Sequence, residues 1–352
     1  MAILKKIDSW FEDNGRSLPW RGIDDPYRIW LSEIILQQTR IEQGRDYWLR
    51  FVEACPTVAD LAAASEEQVL RLWQGLGYYS RARNLHAAAQ YIMNECGGRF
   101  PSTYEGILKL KGVGRYTAAA IASFAFRLPY PVIDGNVYRF ISRLYGIATP
   151  IGTDAAYTEF EQLLHKQIDH ERPDRFNAAL MDFGSLQCKP VPDCTGCPFV
   201  QDCEALRTGR VDMLPVKGAK RKPQDRWFYY LDVHWTDGTG DRGIMHRRDG
   251  KDIWKGLFEF PLMETERRLD DEEFVARASD FAGQMFGTAM VAVSVGEELV
   301  HQLTHRTIHA RFLRVEIGEA PSKMVPDYIA MTLSEMKSVP VPRLIDRYLA
   351  TL

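Results

Sequence analysis

Apolar residues recur every three to four positions through most of the first two hundred residues, which is the spacing of one face of an α-helix. The segment DDPYRIWLSEIILQQT adds start signals to this spacing, since Asp25 is a candidate N-cap and Pro26 occupies the first helical position. Short turns that contain Gly or Pro separate the predicted helices. The other predicted helices are SEEQVLRLW, SRARNLHAAAQYIMNE, TAAAIASFAF and DAAYTEFEQLLHKQI. The pattern predicts an all-α region.

The pattern changes near Leu214, where helical spacing gives way to runs of aromatic and β-branched residues. The segment PVKGAKRKPQD is basic, contains Pro and lacks large apolar residues, as a linker does. The predicted strands are WFYYLDVHW, GIMHRR, MVAVSV and RFLRVEI, and the predicted helices are LDDEEFVARASDFAGQMF and PDYIAMTLSEM. We therefore predict a multidomain fold, with an all-α domain at 1–212, a linker at 213–225 and an α+β domain at 226–352.

Composition narrows the class of protein. The chain has 352 residues, of which 45% are hydrophobic and 26% charged, and its net charge is −3. These values suit a globular protein of two domains and argue against a uniformly basic protein that coats DNA. No apolar run reaches the roughly 18 residues of a membrane span, and the N-terminus lacks the features of a secretion signal. We expect a cytoplasmic protein without a membrane segment.

Four of the six cysteines form the pattern C-x5-C-x2-C-x5-C, at Cys188, Cys194, Cys197 and Cys203. In a reducing compartment, clustered cysteines indicate metal ligands before disulfides, and four thiolates suit either a [4Fe–4S] cluster or a zinc ion. The remaining cysteines, Cys55 and Cys96, are interpreted as packing residues. Nearby basic side chains present a positive surface to DNA phosphates or belong to an ordinary solvated turn. They are Lys189, Arg207 and Arg210.

A glycine turn stands between two predicted helices, in LKLKGVGRYTAAAIASFAF. Gly112 and Gly114 allow a tight turn, and the helix that begins near Tyr116 presents its free N–H groups there, which favours a phosphate. Positive charge comes from Lys109, Lys111 and Arg115. We interpret the segment as a helix–hairpin–helix clamp on the DNA backbone; a plain connection between helices is the alternative.

An aspartate follows twenty residues after Gly114, in PVIDGNVYRF. Asp134 lies at the end of an apolar run, where it suits the cap of the next helix. Beside a DNA clamp, the same carboxylate suits the cleavage of an N-glycosidic bond, because that reaction develops positive charge on the sugar. The sequence leaves both interpretations open.

Taken together, these segments resemble the helix–hairpin–helix glycosylase superfamily and, within it, the MutY-type adenine glycosylases. The resemblance covers nearly all of residues 5–210. It is carried, in the family's order, by LPWRG, WLSEIILQQTR, GLGYYSRARNLH, LKGVGRYTAAAIASFAF, VIDGNVYRFISRLYG and the cysteine cluster. It implies a [4Fe–4S] cluster rather than zinc, and the helix-rich context, which offers no redox partner motif, favours a structural role over electron transfer.

The resemblance also implies the residues of the reaction. Glu33 falls on the family's general acid, which protonates adenine N7, and its helical neighbours predict a desolvated carboxyl group with a raised pKa. Asp134 takes the role of stabilising or capturing the sugar cation, and Asn136 helps hold the attacking water. Tyr116 positions Asp134 or the sugar. It stands where lyase members carry a Schiff-base lysine, so the resemblance implies a monofunctional glycosylase.

Other residues are implied to contact DNA. Those of the flipped-adenine pocket are Trp20, Arg21 and Leu36, and those that wedge into the duplex are Gln38 and Tyr78. The chain departs from the family at two points. Members usually space the first two cysteines by six residues rather than five, and Ala178 replaces a Glu or Gln that often contacts adenine.

The C-terminal part resembles the Nudix-like recognition domain of the same enzymes, through WKGLFEFP and HQLTHRTIHARF. The carboxylate box of Nudix hydrolases is absent after Gly256, which argues for binding rather than pyrophosphatase activity. Relatives read 8-oxoguanine with a Phe-Ser-His loop, and Leu303, Thr304 and His305 stand there. We expect Thr304 and His305 to contact the oxidised base and His309 to be structural.

Three functions remain to be weighed. The leading hypothesis is a monomeric adenine glycosylase that acts on double-stranded DNA with A:8-oxoguanine or A:G pairs. An endonuclease III-type enzyme for oxidised pyrimidines is opposed by Tyr116 and by the C-terminal domain. A non-catalytic iron–sulfur DNA-binding protein is opposed by Glu33 and Asp134, because a pure binder needs neither carboxylate.

Overall fold

A computed structural model describes residues 2–218, 223–238, 240–287 and 289–352. The chain forms two compact units, one from Met1–Ala64 with Asn84–Ala219 and one from Ser65–Arg83 with Lys220–Leu352. Residues 219–222 of the predicted linker lie outside the described residues, and the predicted domain boundaries stay predictions. Within the described ranges, no helix is both long and apolar enough to cross a membrane.

The first part of the chain is helical, as the spacing of apolar residues predicts. The helices are α1 (Ala2–Asn14), α2 (Pro26–Ile35), α3 (Ile41–Ala54), α4 (Val58–Ala63), α5 (Glu66–Trp73), α6 (Ser80–Glu95), α7 (Tyr104–Leu108), α8 (Arg115–Phe126), α9 (Gly135–Tyr145), α10 (Asp154–His165), α11 (Pro173–Leu186) and α12 (Glu204–Arg207).

The second part adds strands and further helices. They are β1 (Gln224–Asp237), β2 (Gly240–Arg247), β3 (Phe258–Glu259), β4 (Leu262–Thr265), α13 (Asp271–Phe286), β5 (Val291–Val295), β6 (Leu299–Gln302), β7 (Arg306–Glu316), β8 (Tyr328–Met331), α14 (Leu333–Ser338) and α15 (Arg343–Leu349).

One hydrophobic core of the helical unit lies between α1, α9, α10 and α11. The apolar positions of α9 follow helical spacing, and Val137, Phe140, Ile141 and Leu144 all contribute to this core. Burial of one such side chain contributes about 1.5–3 kcal/mol. The packing fixes the direction of α9, and therefore the place of Asp134 at its start.

A second contact brings α2 against α8. Four alanines in α8 are buried, and their small side chains let the two helix backbones approach closely. Glu33 lies on α2 and Tyr116 lies in the first turn of α8. The Ala-rich stretch of α8 therefore decides that these two polar groups meet.

The strands form one mixed sheet with the order β3-β2-β1-β7-β5. The central pair, β1 and β7, is parallel, and the other pairings are antiparallel. On one face, α13 covers a core that contains Tyr229, Leu231 and Val233 of β1. The alternation of these residues along the strand is the period-2 pattern that the aromatic run predicts.

One predicted helix is partly wrong. In PDYIAMTLSEM, residues Tyr328–Met331 form β8, which pairs with β2, and only Leu333–Ser338 are helical. Thr332 ends the strand and caps α14, with Glu335 completing a reciprocal capping box. The local sequence shows the cap, whereas the strand depends on hydrogen bonds from β2, which is remote in the chain.

Candidate active site

A cavity of about 560 Å³ lies within the helical unit. Its walls combine apolar side chains with several charged groups, as a site for an organic ligand does. Seven residues that were singled out from the sequence line it: Trp20, Arg21, Glu33, Leu36, Tyr116, Asp134 and Asn136. Ala178 lies in the same wall.

Glu33 is the most unusual group in this cavity, because its side chain is buried. Asp25 caps α2 by accepting from the backbone N–H groups of Tyr27 and Arg28, which fixes the helix that carries Glu33. The Tyr116 hydroxyl donates to Glu33 Oε2 at 2.9 Å. Burial, with the nearby charge of Asp134, outweighs this hydrogen bond and Arg21 and raises the pKa of Glu33 to about 7. The carboxyl group can therefore hold a proton near neutral pH.

Tyr116 reaches Glu33 from the glycine hairpin. The turn between α7 and α8 places Gly112 at a φ of 81°, and a Cβ atom there would lie 2.7 Å from Asn84 Cβ. Only glycine fits both conditions. Gly114 is the N-cap of α8, which begins at Arg115, one residue earlier than the sequence suggests. Burial, followed by the charge of Glu33, keeps the pKa of the Tyr116 phenol well above its usual value.

Asp134 is the N-cap of α9. Its Oδ1 accepts from the backbone N–H groups of Asn136 at 2.9 Å and Val137 at 2.7 Å, and its Oδ2 accepts from Asn136 Nδ2 at 2.7 Å. Burial raises the pKa of Asp134, and these hydrogen bonds oppose that effect. The cap predicted from the sequence is therefore present, and the same carboxylate lines the cavity.

Two arginines of α9 contact the cysteine segment, residues 188–203, and one of them also contacts Asn136 in the cavity wall. Arg139 donates to Asn136 Oδ1 at 2.8 Å and to the carbonyl of Cys188 at 2.8 Å. Arg143 is buried and donates to Cys188 Sγ at 3.6 Å, and also to carbonyl groups. Those are the carbonyls of Lys189, Pro190, Val211 and Leu214.

The four clustered cysteines line a small second cavity of about 30 Å³, together with Arg143 and Phe199. In the part of the chain that the structure describes, no three Cys, His, Asp or Glu side chains are grouped to hold a single metal ion. The fit to a cluster of several iron atoms rests on four sulfur donors around one cavity. Cys55 is buried away from this set, and Tyr27 donates to its carbonyl.

Gln38 and Tyr78 do not line the cavity, but they share an uncommon backbone. Both are exposed, with φ angles of 57° and 48°. A non-glycine residue in this region is uncommon and marks a constrained turn. Such turns present side chains outward from a fixed backbone.

Thr304 and His305 occupy the turn between β6 and β7. The turn is closed by the Leu303 N–H, which donates to the Arg306 carbonyl at 2.8 Å, and the Gln224 N–H donates to the His305 carbonyl at 2.9 Å. Thr304 Oγ1 lies 2.7 Å from the Tyr78 hydroxyl, within the same compact unit. His309 is held between Glu298 and Asp225.

One charged group of the site was missed by the sequence reasoning. Asp182 on α11 is fully buried and binds Arg16 and Arg21, both of which line the cavity. Its segment, FNAALMDFG, places one acid on an apolar helix, and that pattern was a signal for a buried, paired carboxylate. The pattern does not identify the partners.

This chain is similar to known proteins along most of its length. A family model described as HhH-GPD superfamily base excision DNA repair protein matches residues 31–166, and a NUDIX domain model matches residues 236–351. An adenine DNA glycosylase of Buchnera aphidicola subsp. Baizongia pistaciae is 32% identical and aligns over 88% of this chain and 84% of its own length. The adenine DNA glycosylase of Mus musculus is 40% identical and aligns over 92% of this chain and 72% of its own length.

The chain belongs to the adenine DNA glycosylase family. A solved structure of a thermostable thymine-DNA glycosylase shares the fold, with a TM-score of 0.55, 27% identity, and coverage of 59% of this chain and 96% of that one. The predicted fold class, a helical glycosylase domain followed by a Nudix-like domain, is confirmed. The chain is a glycosylase of base excision repair, a hydrolase that acts on N-glycosyl bonds.

The raised pKa of Glu33 in this glycosylase has a consequence for stability. The folded state holds the proton up to about pH 7, whereas an unfolded glutamate releases it near pH 4.3. The stability that protonated Glu33 contributes is fully present at pH values below the pKa of an unfolded glutamate. It is lost as the pH rises through about 7, the pKa in the folded state. We expect Glu33→Gln to raise the free energy of unfolding at pH 8, by on the order of 3 kcal/mol, and to have little effect at pH 4.5.

Thermal unfolding between pH 4.5 and 8.5 measures this effect. Glu42→Gln, at an exposed position of α3, is the matched control and should leave the pH dependence unchanged. A Glu33→Gln variant with the same pH dependence as the unaltered protein would show that Glu33 is not protonated in the folded state.

Arg143 supports the cysteine segment, so its loss should destabilise the glycosylase. Arg143→Met keeps most of the side-chain volume but leaves buried carbonyl groups without a donor. We expect a loss of at least about 3 kcal/mol in the free energy of unfolding, measured by chemical denaturation, and faster proteolysis between residues 188 and 214. Arg207→Met removes an exposed arginine that pairs only with Glu204 among the described contacts, and should change little.

Proposed function

We propose that this glycosylase removes adenine that stands opposite 8-oxoguanine or guanine in duplex DNA, and that it leaves the strand uncut. One observation carries the proposal: buried Glu33, with a pKa raised to about 7, shares a cavity with a second carboxyl group, Asp134. Removal of a base needs an acid for the leaving group and a carboxylate for the sugar cation. The relatives' name, adenine DNA glycosylase, supplies the base.

The cavity receives a nucleotide that has rotated out of the duplex. Base flipping is required because the glycosidic bond is not accessible inside the base stack. Trp20 and Leu36 offer apolar walls for the adenine ring, and Arg21 offers hydrogen-bond donors. These apolar walls and polar groups together orient the base.

Glu33 protonates adenine N7. The Tyr116 hydroxyl donates to Oε2, so the proton of the neutral acid resides on Oε1. A pKa near the working pH suits a general acid, because the protonated form is populated and the proton is readily transferred. Protonation lets the C1′–N9 bond break, with its electron pair moving onto the base.

Asp134 faces the positive charge that then develops on the sugar. Its carboxylate stabilises the oxocarbenium ion or captures C1′, and a water held by Asn136 completes the hydrolysis to an abasic site. Asn136 supports this role by bonding Asp134 Oδ2. Tyr116 has no amine, so no Schiff base forms and the strand remains intact.

The DNA contacts lie outside the cavity. The N-terminus of α8, after Gly112 and Gly114, binds a backbone phosphate through free N–H groups and the helix dipole. Gln38 and Tyr78, on their constrained turns, enter the duplex where adenine has left. Thr304 and His305 read the opposite base, since hydroxyl and imidazole groups both donate and accept hydrogen bonds.

Cys188, Cys194, Cys197 and Cys203 hold a [4Fe–4S] cluster; the support for this assignment is that all four cysteines line one cavity. When bound, the cluster cross-links the segment between α11 and α12 and supplies no step of the hydrolysis. The proposal keeps the division into a catalytic part at 1–212, a linker at 213–225 and a recognition part at 226–352, in a monomer.

Adenine release from a duplex with an A:8-oxoguanine pair tests the proposal. We expect adenine release, with strand breakage only after alkali. Glu33→Gln should lower the single-turnover rate by about 10²-fold or more, the typical contribution of a general acid. Glu42→Gln should retain the full rate. Breakage without alkali would indicate a lyase, and no release would indicate a protein that only binds DNA.

Thr304→Val tests recognition of the opposite base. It keeps the shape of the side chain and removes the hydroxyl, so the preference for 8-oxoguanine over guanine should fall by up to about tenfold. The measurement is the ratio of adenine excision rates from the two duplexes. Thr307→Val, three residues along the same hairpin and bonded to Gln302, is the control. An unchanged ratio in Thr304→Val would remove Thr304 from the proposed reading of the base.

A further inference from the structure

Asp182 is a buried carboxylate with two arginine partners, and no step of the proposed reaction uses it. It accepts from the Arg16 backbone N–H at 2.9 Å, from Arg16 Nε at 2.9 Å and from Arg16 Nη2. Arg21 adds Nη1 to Oδ2 at 2.6 Å and Nη2 to Oδ1 at 2.7 Å. Burial raises the pKa of Asp182, but the hydrogen bonds from Arg21 and Arg16 outweigh it and hold the pKa below its usual value.

Arg21 connects Asp182 with the proposed proton donor. Its guanidinium lines the same cavity as Glu33, and its positive charge lowers the pKa of that carboxyl group. The other groups that act on Glu33 are Tyr116 from α8 and Asp134 at the start of α9. The remaining charged groups of the same cavity are Arg16, which shares Asp182 with Arg21, and Asp24, Arg127, Arg172, Asp174 and Arg175.

The hydrogen bonds of Arg21 show how it is held. Both hydrogens of Nη1 are engaged, one by the Arg16 carbonyl at 3.0 Å and one by Asp182, and one hydrogen of Nη2 is also bound to Asp182. A guanidinium has five N–H donors, so within the described residues the Nε–H and one Nη2–H keep no partner. Arg21 therefore has two N–H donors beyond those that hold it in place.

The middle of α11, which carries Asp182, lines the cavity with side chains that are not charged. Ala178 lies one turn before Asp182 on α11, lines the cavity and offers only a methyl group. Met181 lies between them and also lines it. The Arg21 guanidinium is thus one source of hydrogen-bond donors in the cavity, and Asp182 fixes where it lies.

We propose that Asp182 is a positioning residue for the reaction: it holds Arg21 in the cavity wall and balances its charge, so that Glu33 remains protonated. The inference rests on the proposed function, because it takes Glu33 as the acid. If the balancing charge were lost, the field of Arg21 would favour the ionised form of Glu33. The expected signature is a change in pH dependence and not a uniform loss of rate.

The test is the pH profile of single-turnover adenine release, between pH 5 and 9, from a duplex with an A:8-oxoguanine pair. In the unaltered protein the rate should fall as the pH rises through about 7, where Glu33 loses its proton. In Asp182→Asn, we expect the midpoint to move down by about one pH unit, so that the rate falls about tenfold at pH 8.5 and much less at pH 5.5.

Two further variants separate charge from shape. Asp182→Asn combined with Arg21→Gln removes both charges and should return the midpoint close to its original value. Asp8→Asn is the matched control: Asp8 pairs with Arg175, which also lines the cavity but does not perturb Glu33. The control should leave the midpoint unchanged.

A loss of rate by the same factor at every pH in Asp182→Asn would overturn the inference, since it would leave Asp182 a purely structural role. If Asp182→Asn does not fold, the pH profile of Arg21→Gln tests the inference. In that variant Asp182 still pairs with Arg16, so its buried charge keeps a partner. Its midpoint should rise, and an unchanged midpoint would again overturn the inference. If the unaltered protein releases no adenine, the proposed function fails instead.

Discussion

The site depends on one constraint: Glu33 is buried, and its neighbours must be compatible with a carboxyl group that keeps its proton near neutral pH. The carboxyl group lies among apolar residues of α2, and burial favours its neutral form. Tyr116 satisfies one oxygen without adding charge. The Ala-rich α8, which carries Tyr116 against α2, is therefore as necessary to the proposed chemistry as Glu33 itself. A larger side chain at the buried alanines would separate the two groups.

Helix α9 joins the two polar centres of the helical unit. Its N-cap, Asp134, lines the large cavity, and its apolar face is buried in the core between α1, α10 and α11. Arg139 bonds Asn136 at one end and the Cys188 carbonyl at the other. The cysteine segment and the cavity thus share one rigid support, and a change in the path of that segment is transmitted to Asn136 through two hydrogen bonds.

The turn that carries Thr304 is supported in a similar way, by a group of charges around Asp252 in the loop after β2. Asp252 accepts from Arg226, Arg248 and Arg306, and Arg306 is the residue that closes the turn. A side chain that reads a base must be held by its neighbours, because a loosely held hydroxyl cannot discriminate between similar bases. The cavity wall at Arg21 and the turn at Thr304 are therefore both supported by networks of arginine and carboxylate groups.

The sequence by itself determined the features that depend on near neighbours: the cap of α2 at Asp25, the glycine turn at Gly112, the spacing of the cysteines and the burial of Glu33. Spacing and capping act within a few residues, so they can be seen in one chain. Tertiary structure alone decided the strand at Tyr328–Met331, the bond from Arg139 to Cys188 and the pairing of Asp182 with Arg21. These contacts join residues far apart in the chain, and their partners are selected by packing, which no local period encodes.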